Sequence, residues 1–218
     1  MQVVAVPVKA LSRSKGRLAS VLTPSERGAL TLALLEDVLA ACARQSGWET
    51  WVVSPDPHVL EAAARRGAAA IPEEQGSLLG AVRTVERRLA DPADSLAILL
   101  GDLPELDAED VATALAASAP VVLAPAASDG GTNFLLRRPP GAIPARFGRR
   151  SFTRHRLEAA RRGLELAEVR TPGLAHDLDR PADLARLIAG DHASVTRSVC
   201  LEMGLADRLP LLERLSGA

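Results

Sequence analysis

The chain has 218 residues, 47% of them apolar and 24% charged, which suffices to bury one substantial core and argues for a single domain. A formal net charge of −1 and a sequence pI near 6.4 leave no basic footprint of the kind a nucleic-acid binder carries, so nucleic acid is not an expected partner. No apolar stretch approaches the roughly 20 residues of a membrane-spanning helix, two cysteines are too few for a disulfide framework, and Met1 runs into a strand-like segment rather than a signal peptide; the expectation is a cytoplasmic protein with no membrane partner.

Residues 2–8 form a β-branched apolar run without helical period, followed by a loop rich in Ser, Lys and Gly, and predict a buried strand. Thr23-Pro24-Ser25-Glu26 predicts a helix start, because Thr23 can cap, Pro24 suits the first turn and Glu26 completes a capping box before a long Leu/Ala-rich segment. Strand 49–53, helix 57–66, strand 68–71 and helix 79–89 follow, then a strand over 95–100 that ends in Gly101-Asp102-Leu103-Pro104, a helix over 108–117 and a strand over 120–124. This alternation predicts an α/β fold with a mostly parallel central sheet and helices on both faces. Residues 129–150 interrupt it, reading as a hairpin strand over 132–137 and a long irregular loop, the kind of insertion that holds a second substrate. Helix 152–162, strand 166–170 and a helix after Pro181 complete a domain spanning 1–190, and residues 191–218 read as a tail with a weak helical pattern.

Ligands gather at the carboxyl ends of parallel strands, so the loops after Val8, Leu100 and Ala124 are expected side by side. The chain has only two lysines, Lys9 and Lys15, and both lie in the first of these loops with Arg13 and Arg17. Such a loop would hold a triphosphate, or it is simply a solvated basic surface; it lacks the spacing of a Walker P-loop. Asp102, at a strand end, has the placement of a Mg²⁺-binding carboxylate and equally that of a turn former ahead of Pro104. In His176-Asp177-Leu178-Asp179, one of the acids could complete a metal site; the alternatives are helix capping by Asp179 or a solvated loop. Asp129-Gly130-Gly131-Thr132-Asn133 has hairpin-turn chemistry, and its glycines also let backbone N–H groups approach an anion beside the Thr132 hydroxyl. Phe147-Gly148-Arg149-Arg150-Ser151-Phe152-Thr153-Arg154-His155 places Gly and Arg before a helix start at Ser151, which is either an anion site or an ordinary cap. The four histidines are scattered and neither cysteine has a neighbouring His, which gives zinc or Cys–His chemistry no support.

In order, Val6-Pro7-Val8-Lys9 with Lys15-Gly16-Arg17-Leu18, Gly101-Asp102-Leu103-Pro104, Asp129-Gly130-Gly131-Thr132-Asn133, the Phe147–His155 segment and His176-Asp177-Leu178-Asp179 with Pro181, Asp183 and Leu184 resemble the 2-phospho-L-lactate (or phosphoenolpyruvate) guanylyltransferases of deazaflavin coenzyme F-420 biosynthesis, over about residues 3–188. The resemblance implies a nucleotidyltransferase fold of GT-A-like type, GTP and Mg²⁺ as ligands, a small phosphorylated carboxylic acid as acceptor, and release of pyrophosphate. By position it implies Lys9, Lys15 and Arg17 on the triphosphate, Asp102 on the metal with Asp177 or Asp179 as second carboxylate, and Lys15 and Asp102 as the catalytic pair. Thr132, Gly148 and Ser151 would hold the acid, with Asp129 and Asn133 nearby. Where the family has Gly-Leu-Asn near the base, this chain reads Gln75-Gly76-Ser77-Leu78-Leu79-Gly80; Gly76 is assigned to the nucleotide, and the departure bears on guanine selectivity. A homodimer is a further expectation. Related readings are a transferase for 3-phosphoglycerate, a sugar phosphate or the molybdenum pterin, and a non-catalytic nucleotide-binding protein on the same scaffold.

Overall fold

A computed structural model describes residues 1–209 except 90, 92 and 93. Seven strands form one sheet in the order β3-β2-β1-β4-β6-β5-β7. These are β1 (Gln2–Pro7), β2 (Glu49–Ser54), β3 (Ala69–Pro72), β4 (Ser95–Leu99), β5 (Val121–Pro125), β6 (Thr132–Arg137) and β7 (Leu166–Glu168). All pairs are parallel except those of β6, which runs antiparallel to both neighbours.

The strands carry the expected period of two. Val4, Val6, Val52, Ala97, Leu99 and Val122 face one side, where they pack with α1 (Pro24–Cys42), α2 (Pro57–Arg65) and α4 (Ala108–Ala116). Val3, Ala5, Trp51, Val53, Leu96 and Ile98 face the other, against α3 (Leu78–Glu86), while Val121, Leu123 and Leu135 meet α5 (Ser151–Arg161) there. Burying each such side chain stabilises by about 1.5–3 kcal/mol. The helix start at Thr23 forms as its sequence demands: Thr23 Oγ1 accepts the Glu26 N–H (3.3 Å) and Glu26 Oε2 accepts the Thr23 N–H (2.7 Å).

One expectation is corrected. β6 forms the foreseen hairpin with β5, but its other edge pairs with β4, so it separates those two strands. The reason lies in its composition: all six residues of β6 are buried, and a strand buried on both faces belongs inside a sheet. The loops after Val8 and Leu100 are therefore neighbours, whereas the loop after Ala124 lies one strand farther away, with the start of β6 between them. Two 3₁₀ turns, Leu11–Arg13 and Gly16–Leu18, and a short helix α6 (Pro172–Ala175) were not foreseen.

After α7 (Pro181–Ala189) the tail forms α8 (Val195–Glu202), which packs along α1. Leu205 and Leu209 join Cys200 in a cluster with Leu30 and Leu34 of α1 and Leu184 and Leu187 of α7. The last part of the expected tail, 210–218, lies outside the described residues. Among the described residues no helix is long and apolar enough to cross a membrane.

The docking of α8 depends on Asp37 of α1, whose carboxylate accepts the backbone N–H groups of Val195 (2.8 Å) and Thr196 (2.9 Å) and the Thr196 hydroxyl (2.5 Å). Asp37→Ala removes the partner of all three donors, of which the two on Thr196 are buried, a loss of about 2–4 kcal/mol, and should lower the melting temperature by roughly 5–15 °C. Circular dichroism checks the shift. Faster thiol labelling of the buried Cys200 would localise it to α8.

Candidate active site

A cleft of about 330 Å³ opens at the carboxyl ends of β1 and β4, the point where the strand order reverses. Lys9, Lys15 and Arg17 come to it from the loop after β1, Asp102 from the loop after β4, and Asp177 and Asp179 from the loop before α7. Asp129, Thr132, Asn133, Gly148 and Arg149 line one side, and Glu73, Gly76, Ser77 and Leu78 line another.

Lys15 holds the centre. Its backbone is left-handed (φ 48, ψ 38), a conformation that costs a non-glycine residue about 1–3 kcal/mol, and its side chain is only 7% exposed. Nζ donates to Asp102 Oδ2 (3.0 Å), to the Leu178 carbonyl (2.6 Å) and to Asp179 Oδ1 (3.3 Å). Burial alone would push the Lys15 pKa down, but the Asp102 and Asp179 carboxylates outweigh it and hold it above the ordinary value. Arg17 reaches the other oxygen of Asp179 at 2.9 Å. Leu18 and Leu178, both fully buried in the α1–α7–α8 cluster, anchor the loops that carry these groups.

Two acids remain under-partnered. Asp102 Oδ1 is buried without a hydrogen-bond partner among the described residues. Asp177 accepts the Ser128 hydroxyl (3.2 Å) and has no cation within ion-pair distance among them; burial, then the Asp102 carboxylate, pushes its pKa up. A divalent cation would relieve both. Among the described residues no cluster of three or more acidic, His or Cys side chains is arranged to hold a metal ion by itself.

The side at β6 is built around the Thr132 hydroxyl. The Arg146 N–H donates to His155 Nε2 (2.8 Å), which leaves the proton of the neutral ring on Nδ1. Nδ1 then donates to Thr132 Oγ1 (3.1 Å), and so does the Ser151 hydroxyl (3.0 Å). With both lone pairs of Thr132 Oγ1 taken, its own proton is left to serve the cleft. Ser151 itself is fully buried behind Thr132 and is absent from the cleft lining. The first N–H groups of α5 are likewise committed, Ser151 to the Gly148 carbonyl (2.9 Å) and Phe152 to the Gly130 carbonyl (3.2 Å). Asp129 accepts the Gly131 N–H (2.7 Å) and fixes the turn, and the Asn133 amide donates to the Leu174 carbonyl (2.9 Å). Gly148, at φ +104, has a backbone that side-chain-bearing residues rarely adopt.

This geometry sits in a sequence whose residues 1–206 match the sequence model of the family described as "Guanylyl transferase CofC like". The chain belongs to that family. A protein of Sphaerobacter thermophilus named phosphoenolpyruvate guanylyltransferase is 47% identical over 203 residues, covering 88% of this chain and 94% of that protein. One of Methanothermobacter thermautotrophicus, named 2-phospho-L-lactate guanylyltransferase, is 38% identical over 194 residues and covers 86% of each. Among solved structures, a Desulfovibrio desulfuricans protein provisionally named a nucleotide-diphospho-sugar transferase superposes with a TM-score of 0.77 at 18% identity, over 98% of this chain and 97% of that one. At that identity the likeness shows the fold alone: this is the fold of the nucleotide-diphospho-sugar transferases.

In this guanylyl transferase CofC-like chain, two residues not singled out from the sequence bear on the site, one in its lining and one buried behind Thr132. Glu73 lines the cleft opposite Thr132, and nothing marks it in the sequence beyond a charged loop after a strand. His155 lies inside a quoted motif, but its role appears only through its contacts. Its ring meets Phe147 edge-on, with centroids 5.6 Å apart.

Burial, with the charges of Arg137, Arg154 and Arg146, pushes the His155 pKa down to about 4 from 6.5. The unfolded chain therefore binds a proton at His155 between those values while the folded chain does not. Stability from this residue is complete above pH 6.5 and is lost as pH falls through about 4, a total of roughly 3 kcal/mol. Urea midpoints for parent and His155→Gln, measured from pH 7.5 to 4, should show a steeper acid loss in the parent. Parallel curves would count against a neutral, buried His155.

Proposed function

We propose that the chain transfers GMP from GTP to the phosphate of a small phosphorylated carboxylic acid, phosphoenolpyruvate first and 2-phospho-L-lactate second, releasing pyrophosphate on the route to coenzyme F-420. The observation that carries this reading is the meeting, in one cleft, of a cationic loop, an orphaned buried carboxylate and a hydroxyl donor with its proton free. The names of the two relatives support the choice of nucleotide and acceptors.

The reaction needs no general base. A phosphate monoester has its second pKa near 6, so the acceptor oxygen is already largely ionised at neutral pH. It attacks the α-phosphorus, a new P–O bond forms, and the bond to pyrophosphate breaks. The work left to the protein is alignment and charge neutralisation. Lys9 and Arg17 face the triphosphate, and Lys15, whose three N–H groups are taken by Asp102, Asp179 and the Leu178 carbonyl, adds its positive charge behind them. Thr132 donates to the acceptor, with Arg149 adding a positive charge at the same side. Asp102, with Asp177 or Asp179, would hold Mg²⁺; Asp179 already serves Lys15 and Arg17, which leaves Asp177 the freer partner. When bound, Mg²⁺ supplies charge stabilisation at the phosphate oxygens.

Incubation with GTP, Mg²⁺ and phosphoenolpyruvate, 2-phospho-L-lactate or 3-phosphoglycerate, followed by mass spectrometry, tests the proposal. A guanosine diphosphate-linked acid and stoichiometric pyrophosphate are expected; no product with any of the three removes the reading. Asp102→Ala should lower turnover by roughly 10²–10⁴-fold, the loss of several kcal/mol of charge stabilisation. Chelation with EDTA should stop the parent reaction and added Mg²⁺ should restore it. A folded Asp102→Ala protein with parental turnover would remove the metal assignment.

A further inference from the structure

The carboxylate of Glu73 has no role in the chemistry above. It follows β3 directly, is 5% exposed, and borders the cleft. Oε1 accepts the Gln75 N–H (2.6 Å) and Oε2 the Gly76 N–H (2.7 Å). Among the described residues no cation lies within ion-pair distance. An ionised carboxylate has about four acceptor positions, so each oxygen keeps capacity for one more donor.

Its surroundings tell which ligand could supply those donors. Pro55, Leu78 and Ala81, which share this side of the cleft, are apolar, whereas the acceptor side carries Thr132, Gly148 and Arg149. A phosphorylated acid would be repelled by Glu73; a flat, uncharged base would not. The first turn of α3 is kept bare for the carboxylate: a Cβ at Gly80 would stand 2.6 Å from Glu73 Oε1 and 2.9 Å from Gln75 Cβ. Two acceptors side by side select a base edge with two adjacent donors. Guanine offers N1–H and the 2-amino group there. Adenine and cytosine set a ring-nitrogen acceptor beside their amino group, and uracil flanks one N–H with carbonyls, so each brings a lone pair against the carboxylate.

We propose that Glu73 selects guanine, its carboxylate accepting from N1–H and the 2-amino group while Pro55 and Leu78 cover the ring. This rests on reading the chain as a nucleotidyltransferase, and it replaces the missing Gly-Leu-Asn signal with a side chain.

The test compares kcat/KM for GTP, ITP and XTP in the parent and in Glu73→Gln, with phosphoenolpyruvate and Mg²⁺. ITP lacks the 2-amino group, so the parent should prefer GTP by roughly 10- to 100-fold, the usual worth of a hydrogen bond to a charged group. The amide of Glu73→Gln donates where the carboxylate accepted; the GTP-to-ITP ratio should collapse and XTP, with a carbonyl at C2, should gain. If Glu73 only shapes its turn, all three nucleotides lose equally and the unchanged ratios overturn the proposal. Should Glu73→Gln not fold, the parent decides: N1-methyl-GTP is refused and N7-methyl-GTP accepted, and use of both alike overturns it. Turnover with none of these nucleotides would sink the functional reading separately. Calorimetric affinities would still judge Glu73, since equal binding of GTP, ITP and N1-methyl-GTP contradicts selection at that edge.

Discussion

A single ammonium group joins the first loop of the chain to its last third: Lys15 Nζ lies among Asp102, Asp179 and the Leu178 carbonyl. Withdrawing such a group from water costs several kcal/mol, and the carboxylates offset it only because their loops are held in place. That hold comes from Leu18, three residues after Lys15, and Leu178, one before Asp179, both set in the same apolar cluster. The cluster also contains Leu30, Leu34, Leu184, Cys200 and Leu205, so the electrostatic centre of the cleft is backed by the packing of α1, α7 and the tail. Without the ammonium, Asp102 and Asp179 would lose the cation they share.

Around that centre the cleft is asymmetric in chemistry. On the β6 side, buried donors converge on Thr132 and leave its proton outward, an arrangement that requires His155 to stay neutral. Its depressed pKa secures this, with burial the main cause and three arginines adding to it. On the β3 side the polar group is an acceptor, Glu73, set among apolar neighbours. The two sides of the cleft thus differ in polarity, donor on one and acceptor on the other.

Much of this was readable in the sequence because it is local. The capping box at Thr23 and Glu26, the alternation along Gln2–Pro7, and the hairpin chemistry of Asp129-Gly130-Gly131 need only neighbours a few residues away. What escaped depends on distant partners. The loops of Lys15 and Asp102 were expected side by side, but nothing near Lys15 announces that its ammonium would also be spent on the Leu178 carbonyl and on Asp179. The hairpin signal said that β6 would turn back on β5, but not that its far edge would take β4. Ser151 was legible as a helix start; that its hydroxyl would be spent on Thr132 was not. Glu73 escaped for the opposite reason, since Glu73-Glu74-Gln75 has the composition of any solvated loop and only the turn toward Gly76 brings the carboxylate inward.

The reversed strand has a consequence for how such a protein can diverge. On the proposed assignment β3, β2 and β1 would carry the nucleotide side and β6 and β5 the acceptor side, and within the sheet the two meet along the pairing of β4 with β6. Because β6 starts at the cleft and runs away from it, the chain must travel back through residues 138–150 before Ser151 closes on Thr132. That return passage is irregular, lies outside the ladder and ends beside Thr132. Mutation can alter its exposed stretches without disturbing a strand register, provided Ile143 keeps its place in the core and the Arg146 N–H its bond to His155, so on the proposed assignment a lineage could change the acid it accepts while inheriting its nucleotide half intact.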